Sequence, residues 1–170
     1  FTNFGDQWNF ALNYFDIKSK FTMKLDPDER LTENLKQSII TNLVNDKHSG
    51  YILQRVLYFM GKELPIKQDV TRIWRTGQVK FADVLVNEVP IIEGSISKIK
   101  GNLIHLDSPN LHHWYNKQNQ YSTAEAITKF ENQKLAYEPK FFGNKDNKRM
   151  WIKKHFSSFP GRFLILFLYY

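Results

Sequence analysis

The sequence predicts an α/β protein, with a mixed sheet, flanking helices and a helical C-terminal tail. Two observations predict this class. Helical and strand-like hydrophobic patterns alternate through the first hundred residues, which is typical of sheets covered by helices. The 170 residues are 42% hydrophobic and 15% aromatic, which is enough apolar material to bury a core of ordinary domain size.

The N-terminal half predicts two helices and two strands in alternation. The first helix begins at Asp6, which we expect to be its N-cap. Residues 21–25 form a short apolar run that predicts a buried strand. Residues 32–45 carry apolar side chains at helical spacing, with Thr32 as the cap. Residues 51–60 are rich in β-forming residues and predict the second strand.

The second half is less regular. Three further strands are predicted, at residues 70–74, 79–81 and 102–106. Residues 108–137 have a helical pattern, which we expect to be divided into two pieces. The second piece would begin at Ser122 or Thr123, because Glu125 follows at a distance typical of a capping box.

Positive charge is concentrated near the C-terminus. The net charge is +7, and residues 139–162 contain seven Lys or Arg against a single acid, so the rest of the chain is nearly neutral. This distribution favours a localised anionic partner. We therefore expect residues 1–138 to form the body of the protein and residues 139–170 a basic, aromatic tail. The chain has no cysteine, which excludes disulfides and cysteine metal sites.

An Asp-x-Asp motif follows the first predicted strand. Asp26 and Asp28 are oxygen donors of the kind that Mg²⁺ or Mn²⁺ uses when it also binds substrate phosphates. Calcium binding in an EF-hand is excluded, because its sixth and twelfth positions would be Leu31 and Gln37. The alternative is that Asp28 and Glu29 only favour the start of the next helix through its dipole.

Five segments in order resemble bacterial family 2 glycosyltransferases of the GT-A fold, in particular those that build lipopolysaccharide or lipooligosaccharide core. These segments are GDQWNFAL at 5–12, KLDPDERL at 24–31, RIWRTG at 72–77 with VNE at 86–88, LIH at 103–105 with YNKQNQYS at 115–122, and FPGRFL at 159–164. Asn87 stands where the family usually has His. The strand and helix that open the family's domain are absent before Phe1, so we expect a fragment of a longer protein. The resemblance implies that residues 1–138 are the C-terminal part of a GT-A catalytic domain and that residues 139–170 associate with a membrane.

The resemblance implies an inverting sugar transfer from a nucleotide-sugar donor, most simply a UDP-sugar, to a saccharide or glycolipid acceptor. It implies a Mg²⁺ or Mn²⁺ ion with three ligands: Asp26, Asp28 and His105. Donor contacts would come from Asp26, Gln7, Asn9, Arg72 and Arg75. The general base would be a carboxylate, with Glu88 the first candidate and Asp83 and Asp69 behind it.

The tail suits an anionic membrane surface, because it mixes basic residues with Trp and Phe. We expect a cytoplasmic protein that is peripheral on the inner face of the cytoplasmic membrane and that does not bind nucleic acid. Two alternatives remain open. The sequence pI of about 9.5 and the many aromatic residues would also suit a nucleic-acid-binding module. A GT-A fold that has lost donor binding could be a non-catalytic membrane-surface protein.

Overall fold

The computed structural model describes residues 3–45, 47–84, 88–130, 139–143 and 145–162. Within these ranges there are four α-helices: α1 (Phe4–Tyr14), α2 (Glu33–Asn45), α3 (Leu111–Phe130) and α4 (Lys145–His155). There are seven strands: β1 (Phe21–Met23), β2 (Glu29–Leu31), β3 (Gly50–Phe59), β4 (Lys62–Arg75), β5 (Val79–Phe81), β6 (Pro90–Ile92) and β7 (Ile96–Ser108). A short 3₁₀ turn (Phe156–Ser158) follows α4.

Five strands form one mixed sheet in the order β1-β4-β3-β7-β2. Neighbouring strands are antiparallel except for β3 and β7, which run parallel. Strands β5 and β6 form a separate antiparallel pair. A mixed sheet with flanking helices confirms the predicted α/β class.

The core lies where α2 packs against the sheet. Its buried side chains come from α2, β3, β4 and β7: Leu35, Tyr51, Leu53, Ile73, Ile99 and Leu103. Gly101 permits this close packing. Its φ of +117° strains any L side chain, and a Cβ there would lie 2.8 Å from the Cα of Leu35. The helix can therefore approach β7 only because this position has no side chain.

The predicted N-cap of α1 is wrong by three residues. The cap is Asn3, whose side chain accepts a hydrogen bond from the backbone N–H of Asp6 at 2.8 Å. Asp6 instead lies in the first turn, where its negative charge suits the helix dipole. The predicted cap of α2 is confirmed, since Thr32 Oγ1 accepts from the N–H of Leu35.

Most predicted strands are confirmed, but two are longer than predicted. The strand predicted at 70–74 is the end of β4, and the strand predicted at 102–106 is the second half of β7. These strands pair with β3 over most of its length, so partner strands extend them beyond their apolar stretches. The residue pattern alone could not show this pairing.

Helix α3 is continuous through the position where a break was predicted. The hydroxyls of Ser122 and Thr123 donate back to the carbonyl of Asn119, so they satisfy a helix carbonyl instead of capping a new helix. The predicted continuation from 131 to 137 lies outside the described residues. No helix in the described part of the chain is both long and apolar enough to cross a membrane.

Candidate functional site

Pairing of β2 with β7 brings Asp28 to His105. Glu29 lies opposite His105 in the register, and the backbone carbonyl of Asp28 accepts from the N–H of Leu106 at 2.8 Å. As a result His105 Nε2 lies 3.0 Å from Asp28 Oδ2. The imidazole is largely buried, whereas the carboxylate is about one-third exposed. The pair therefore presents its carboxylate to solvent and its ring to the protein.

Asp26 faces other partners. A tight turn forms between Asp26 and Glu29, with the N–H of Glu29 donating to the carbonyl of Asp26 at 2.9 Å. The Asp26 carboxylate accepts from Arg72 Nη2 at 2.7 Å and lies 3.4 Å from Lys24 Nζ. Across the described ranges, no three His, Asp or Glu side chains come close enough to form a metal site. Asp26 thus does not join Asp28 and His105 as a third ligand in this arrangement.

Charged side chains of alternating sign continue from Asp26 into the protein interior. We call this set the charge chain: Glu88, Lys24, Asp26, Arg72, Glu29 and Arg55. Its most buried member is Glu29, which has no exposed surface and accepts from Arg72 Nη2 at 2.6 Å. Glu29 Oε2 also accepts the backbone N–H of Asp26 at 3.1 Å. The buried side chains of the charge chain therefore fix the position of the Asp-x-Asp turn.

Within the charge chain, Lys24 connects Glu88 to Asp26. Its ammonium lies 3.4 Å from both Glu88 Oε1 and Asp26 Oδ1, and its side chain is only 8% exposed. The same ammonium lies 4.9 Å above the ring of Trp8, which is a cation–π distance. The predicted general base and the predicted donor carboxylate consequently share one buried cation.

A second ion pair lies near Asp28. Lys117 on α3 donates to Asp107 Oδ1 at 2.5 Å. Burial opposes the charge of Lys117, but the hydrogen bond and negative charge of Asp107 outweigh it and raise the pKa of Lys117 above its usual range. Tyr121 and Asp28 add smaller contributions in the same direction. Lys117 is therefore a retained positive charge within electrostatic reach of Asp28.

The remaining predicted donor contacts do not converge. The amide of Asn9 donates to the carbonyl of Phe81 at 2.9 Å and accepts its N–H at 2.7 Å, so it fastens α1 to β5. Gln7 is exposed on α1. Arg72 and Arg75 are three residues apart on β4, so their side chains point to opposite faces of the sheet. Arg72 contacts Asp26, whereas the Arg75 guanidinium lies 5.5 Å from the centroid of the Phe21 ring.

The other two candidates for the general base, Asp83 and Asp69, each form a separate exposed contact. Asp83 accepts from the side-chain amide of Asn3 at 2.8 Å. Asp69 forms an exposed ion pair with Lys98 at 2.5 Å. Asn87, the departure from the family pattern, lies outside the described residues. Of the candidate bases, Glu88 is thus the one held beside the Asp-x-Asp turn.

Several buried polar atoms have no hydrogen-bond partner among the described residues: Arg55 Nε, Arg72 Nε, Trp74 Nε1 and His105 Nδ1. For His105 this leaves one ring nitrogen unsatisfied while the other faces Asp28. A metal-bound imidazole usually donates its second nitrogen to an acceptor. His105 would therefore bind a cation through Nε2 without such a support from the described part of the chain.

Sequence reasoning gave no role in the site to four residues: Lys24, Glu29, Asp107 and Lys117. Glu29 was considered only as a charge at the start of the next helix, but it lies in β2, and α2 begins at Glu33. Asp107 lies one residue beyond the strand predicted at 102–106, so the predicted pattern did not include it. Lys24 lies two residues before Asp26, and Glu29 directly follows Asp28. Their burial depends on Arg72 and Glu88, which are distant in the sequence, so no local pattern indicates it.

No protein-family model matches this chain, and no curated protein sequence matches it significantly.

Proposed function

We propose that this protein is an inverting glycosyltransferase of the GT-A type, which transfers a sugar from a nucleotide-sugar donor to a saccharide acceptor. One observation carries the proposal. Asp28 and His105 are 77 positions apart in sequence, were both expected from the resemblance to be metal ligands, and lie 3.0 Å apart. The fold and the position of Glu88 supply further support.

The two donor atoms suit a divalent cation. Donors about 2.1 Å from an ion and at a right angle to each other lie about 3.0 Å apart, so the separation of the pair suits Mn²⁺ or Mg²⁺. The cation would replace the hydrogen bond between His105 Nε2 and Asp28 Oδ2. The imidazole favours Mn²⁺ over Mg²⁺, which prefers oxygen. A cation with only two protein ligands leaves positions for substrate phosphate oxygens. When bound, it would neutralise the charge that develops on the leaving nucleoside diphosphate.

Glu88 is the residue best placed to act as the general base. Its side chain is less than one-fifth exposed, and the Lys24 ammonium holds it beside the Asp-x-Asp turn. A base must lie within hydrogen-bond reach of the acceptor hydroxyl, and a fixed carboxylate achieves this at lower entropic cost than a mobile one. Glu88 would accept the hydroxyl proton as the acceptor oxygen attacks the sugar.

Metal-dependent nucleotide binding tests the proposal. We expect UDP to raise the melting temperature of the protein in the presence of Mn²⁺ and to have little effect in EDTA, because binding to the native state stabilises it. Differential scanning fluorimetry measures this shift. A panel of nucleotide sugars, assayed for metal-dependent hydrolysis, then identifies the donor.

Other outcomes would favour the other functions. Binding to oligonucleotides that falls steeply with salt, without a nucleotide effect, would favour a nucleic-acid-binding module. Vesicle binding without any effect of nucleotide and metal would favour a non-catalytic membrane-surface protein. Equal stabilisation by UDP with Mn²⁺ and with EDTA would contradict the proposed metal site.

We also propose that the C-terminal segment attaches the enzyme to the anionic inner face of the cytoplasmic membrane, where a glycolipid acceptor would lie. Helix α4 and its flanks expose large apolar side chains, among them Phe142, Ile152 and Phe159. Exposed Lys148 and Lys154 lie on the same helix. A basic surface interspersed with exposed aromatic and aliphatic groups is typical of interfacial helices.

Neutralising four basic residues of α4 should weaken this attachment to the membrane surface. With Lys148, Arg149, Lys153 and Lys154 all changed to Gln, we expect a large loss of binding to vesicles containing phosphatidylserine, since each charge contributes roughly 1 kcal/mol near such a surface. Co-sedimentation measures the loss, with neutral phosphatidylcholine vesicles as the control. Unchanged sedimentation with the anionic vesicles would exclude this mode of attachment.

A further inference from the structure

The Lys117–Asp107 pair lies at the end of β7 that pairs with the Asp-x-Asp turn. Asp107 directly follows Leu106, whose N–H donates to the backbone carbonyl of Asp28 at 2.8 Å. Lys117 and Asp107 are each about one-fifth exposed, so the pair is neither fully buried nor fully solvated. An ammonium group is thus held near Asp28 at a partly exposed position.

Helix α3 fixes the position of this lysine. Trp114, Lys117 and Tyr121 lie at spacings of three and four, so they share one face of the helix. The ring of Trp114 packs against Phe59 of β3 with centroids 6.3 Å apart. Lys117 also lies 6.0 Å from the centroid of Tyr121. The lysine is therefore anchored by its helix, which packs on the sheet beside β7.

Arg72, one of the two arginines predicted as donor contacts, already has other partners. Arg72 Nη2 donates to both Asp26 and Glu29, and the Arg72 side chain is only 9% exposed. Releasing it would leave the fully buried Glu29 carboxylate with Arg55 at 3.5 Å as its nearest cation. Such a release is costly, because a buried charge without a close partner is strongly destabilising.

We propose that Lys117 is the residue that binds the phosphate groups of the donor at the Asp28–His105 pair. This inference rests on the proposed function. Asp107 holds the ammonium in place before the nucleotide binds, and a phosphate oxygen then takes a hydrogen bond from Lys117. A lysine is suited to this exchange, because its ammonium is a compact charge with three donors and phosphate is a strong acceptor.

Binding of nucleoside diphosphates tests the inference separately from turnover. Isothermal titration calorimetry would measure UDP, GDP, ADP and CDP in Mn²⁺, and Mn²⁺ alone, against wild type and Lys117→Met. We expect Lys117→Met to weaken each nucleoside diphosphate that the wild type binds by about tenfold or more, which is the scale of one charge-assisted hydrogen bond. Affinity for Mn²⁺ alone should change far less.

Three further variants sharpen the result. Lys117→Arg keeps the charge and should retain most of the affinity. Lys117→Gln gives a second neutral form in case the Met variant folds poorly, as judged by circular dichroism. Lys36→Met removes an exposed lysine that pairs with Glu33 on α2, and it should bind as wild type does.

The outcomes separate the inference from the proposed function. Should Lys117→Met and Lys117→Gln bind the diphosphates as tightly as wild type, Lys117 has no such role, although the metal site would stand. Wild-type binding of Mn²⁺ without binding of any diphosphate would also overturn the inference. A wild type that binds neither Mn²⁺ nor diphosphate would overturn the proposed function itself.

Discussion

Replacing Arg72 by Met should destabilise the protein by about 3–5 kcal/mol, the usual cost of removing one partner from a buried ion pair. Glu29 has no exposed surface, and Arg72 is its closest cation at 2.6 Å. In the variant its carboxylate would keep only Arg55, at 3.5 Å, and the N–H of Asp26. Chemical denaturation followed by tryptophan fluorescence measures the loss.

Two comparisons show whether burial causes this effect. The double variant Arg72→Met with Glu29→Leu should be more stable than Arg72→Met alone, because it no longer buries an unpaired charge. Lys98→Met removes a Lys98–Asp69 contact of 2.5 Å whose side chains are half-exposed, and it should cost less than about 1 kcal/mol. A loss for Arg72→Met as small as that for Lys98→Met would contradict a stabilising role for the charge chain.

Replacing Asp28 by Asn should abolish the proposed metal-dependent function while the fold is retained. The change removes the negative charge that would bind the cation. Losing a residue that only hydrogen-bonds to a metal ligand typically weakens metal binding by about 10–100-fold, and losing the ligand's charge should weaken it more. We therefore expect Mn²⁺ affinity to fall by more than about 100-fold and sugar transfer to fall by at least as much. Calorimetry with Mn²⁺ and an assay of nucleotide-sugar hydrolysis measure the two effects.

The local structure around Asp28 predicts that this variant folds. Its backbone carbonyl, not its side chain, pairs with Leu106, and the Asn amide can still form a hydrogen bond with His105. Asp16→Asn is a suitable control, because Asp16 is exposed and pairs only locally with Lys18. Mn²⁺ binding by Asp28→Asn at wild-type affinity would remove Asp28 from the metal site, and with it the observation on which the proposed function depends.

Local sequence patterns predicted the helices and strands that depend on local interactions. The apolar spacing of α2 and its Thr32 cap were confirmed, because capping and amphipathic periodicity are properties of neighbouring residues. The predicted break at Ser122 was wrong, because a hydroxyl can either cap a helix or bond the preceding turn, and the surrounding structure decides between these. The strands β2 and β6 were not predicted, because each is defined by its pairing with another strand, β7 for β2 and β5 for β6.

For the candidate site, too, the residues could be named from the sequence, but their contacts could not. The resemblance named Asp28 and His105 as ligands, and the register of β2 with β7 places them side by side. It also named Arg72 and Arg75 as donor contacts, but these side chains lie against different partners. The roles of all four residues stay predictions. No pattern in residues 24–31 indicates that Glu29 would be buried or that Lys24 would lie between two carboxylates.

The sequence by itself determined the α/β class, the α2 cap and the placing of positive charge in the C-terminal segment, because each follows from composition or from residues close together in the chain. The tertiary structure alone decided which charged groups meet. Strand register joined Asp28 to His105, and burial committed Arg72 to Glu29. The physical reason is that an ion pair depends on distance and dielectric environment, and both are set by contacts between residues far apart in the chain.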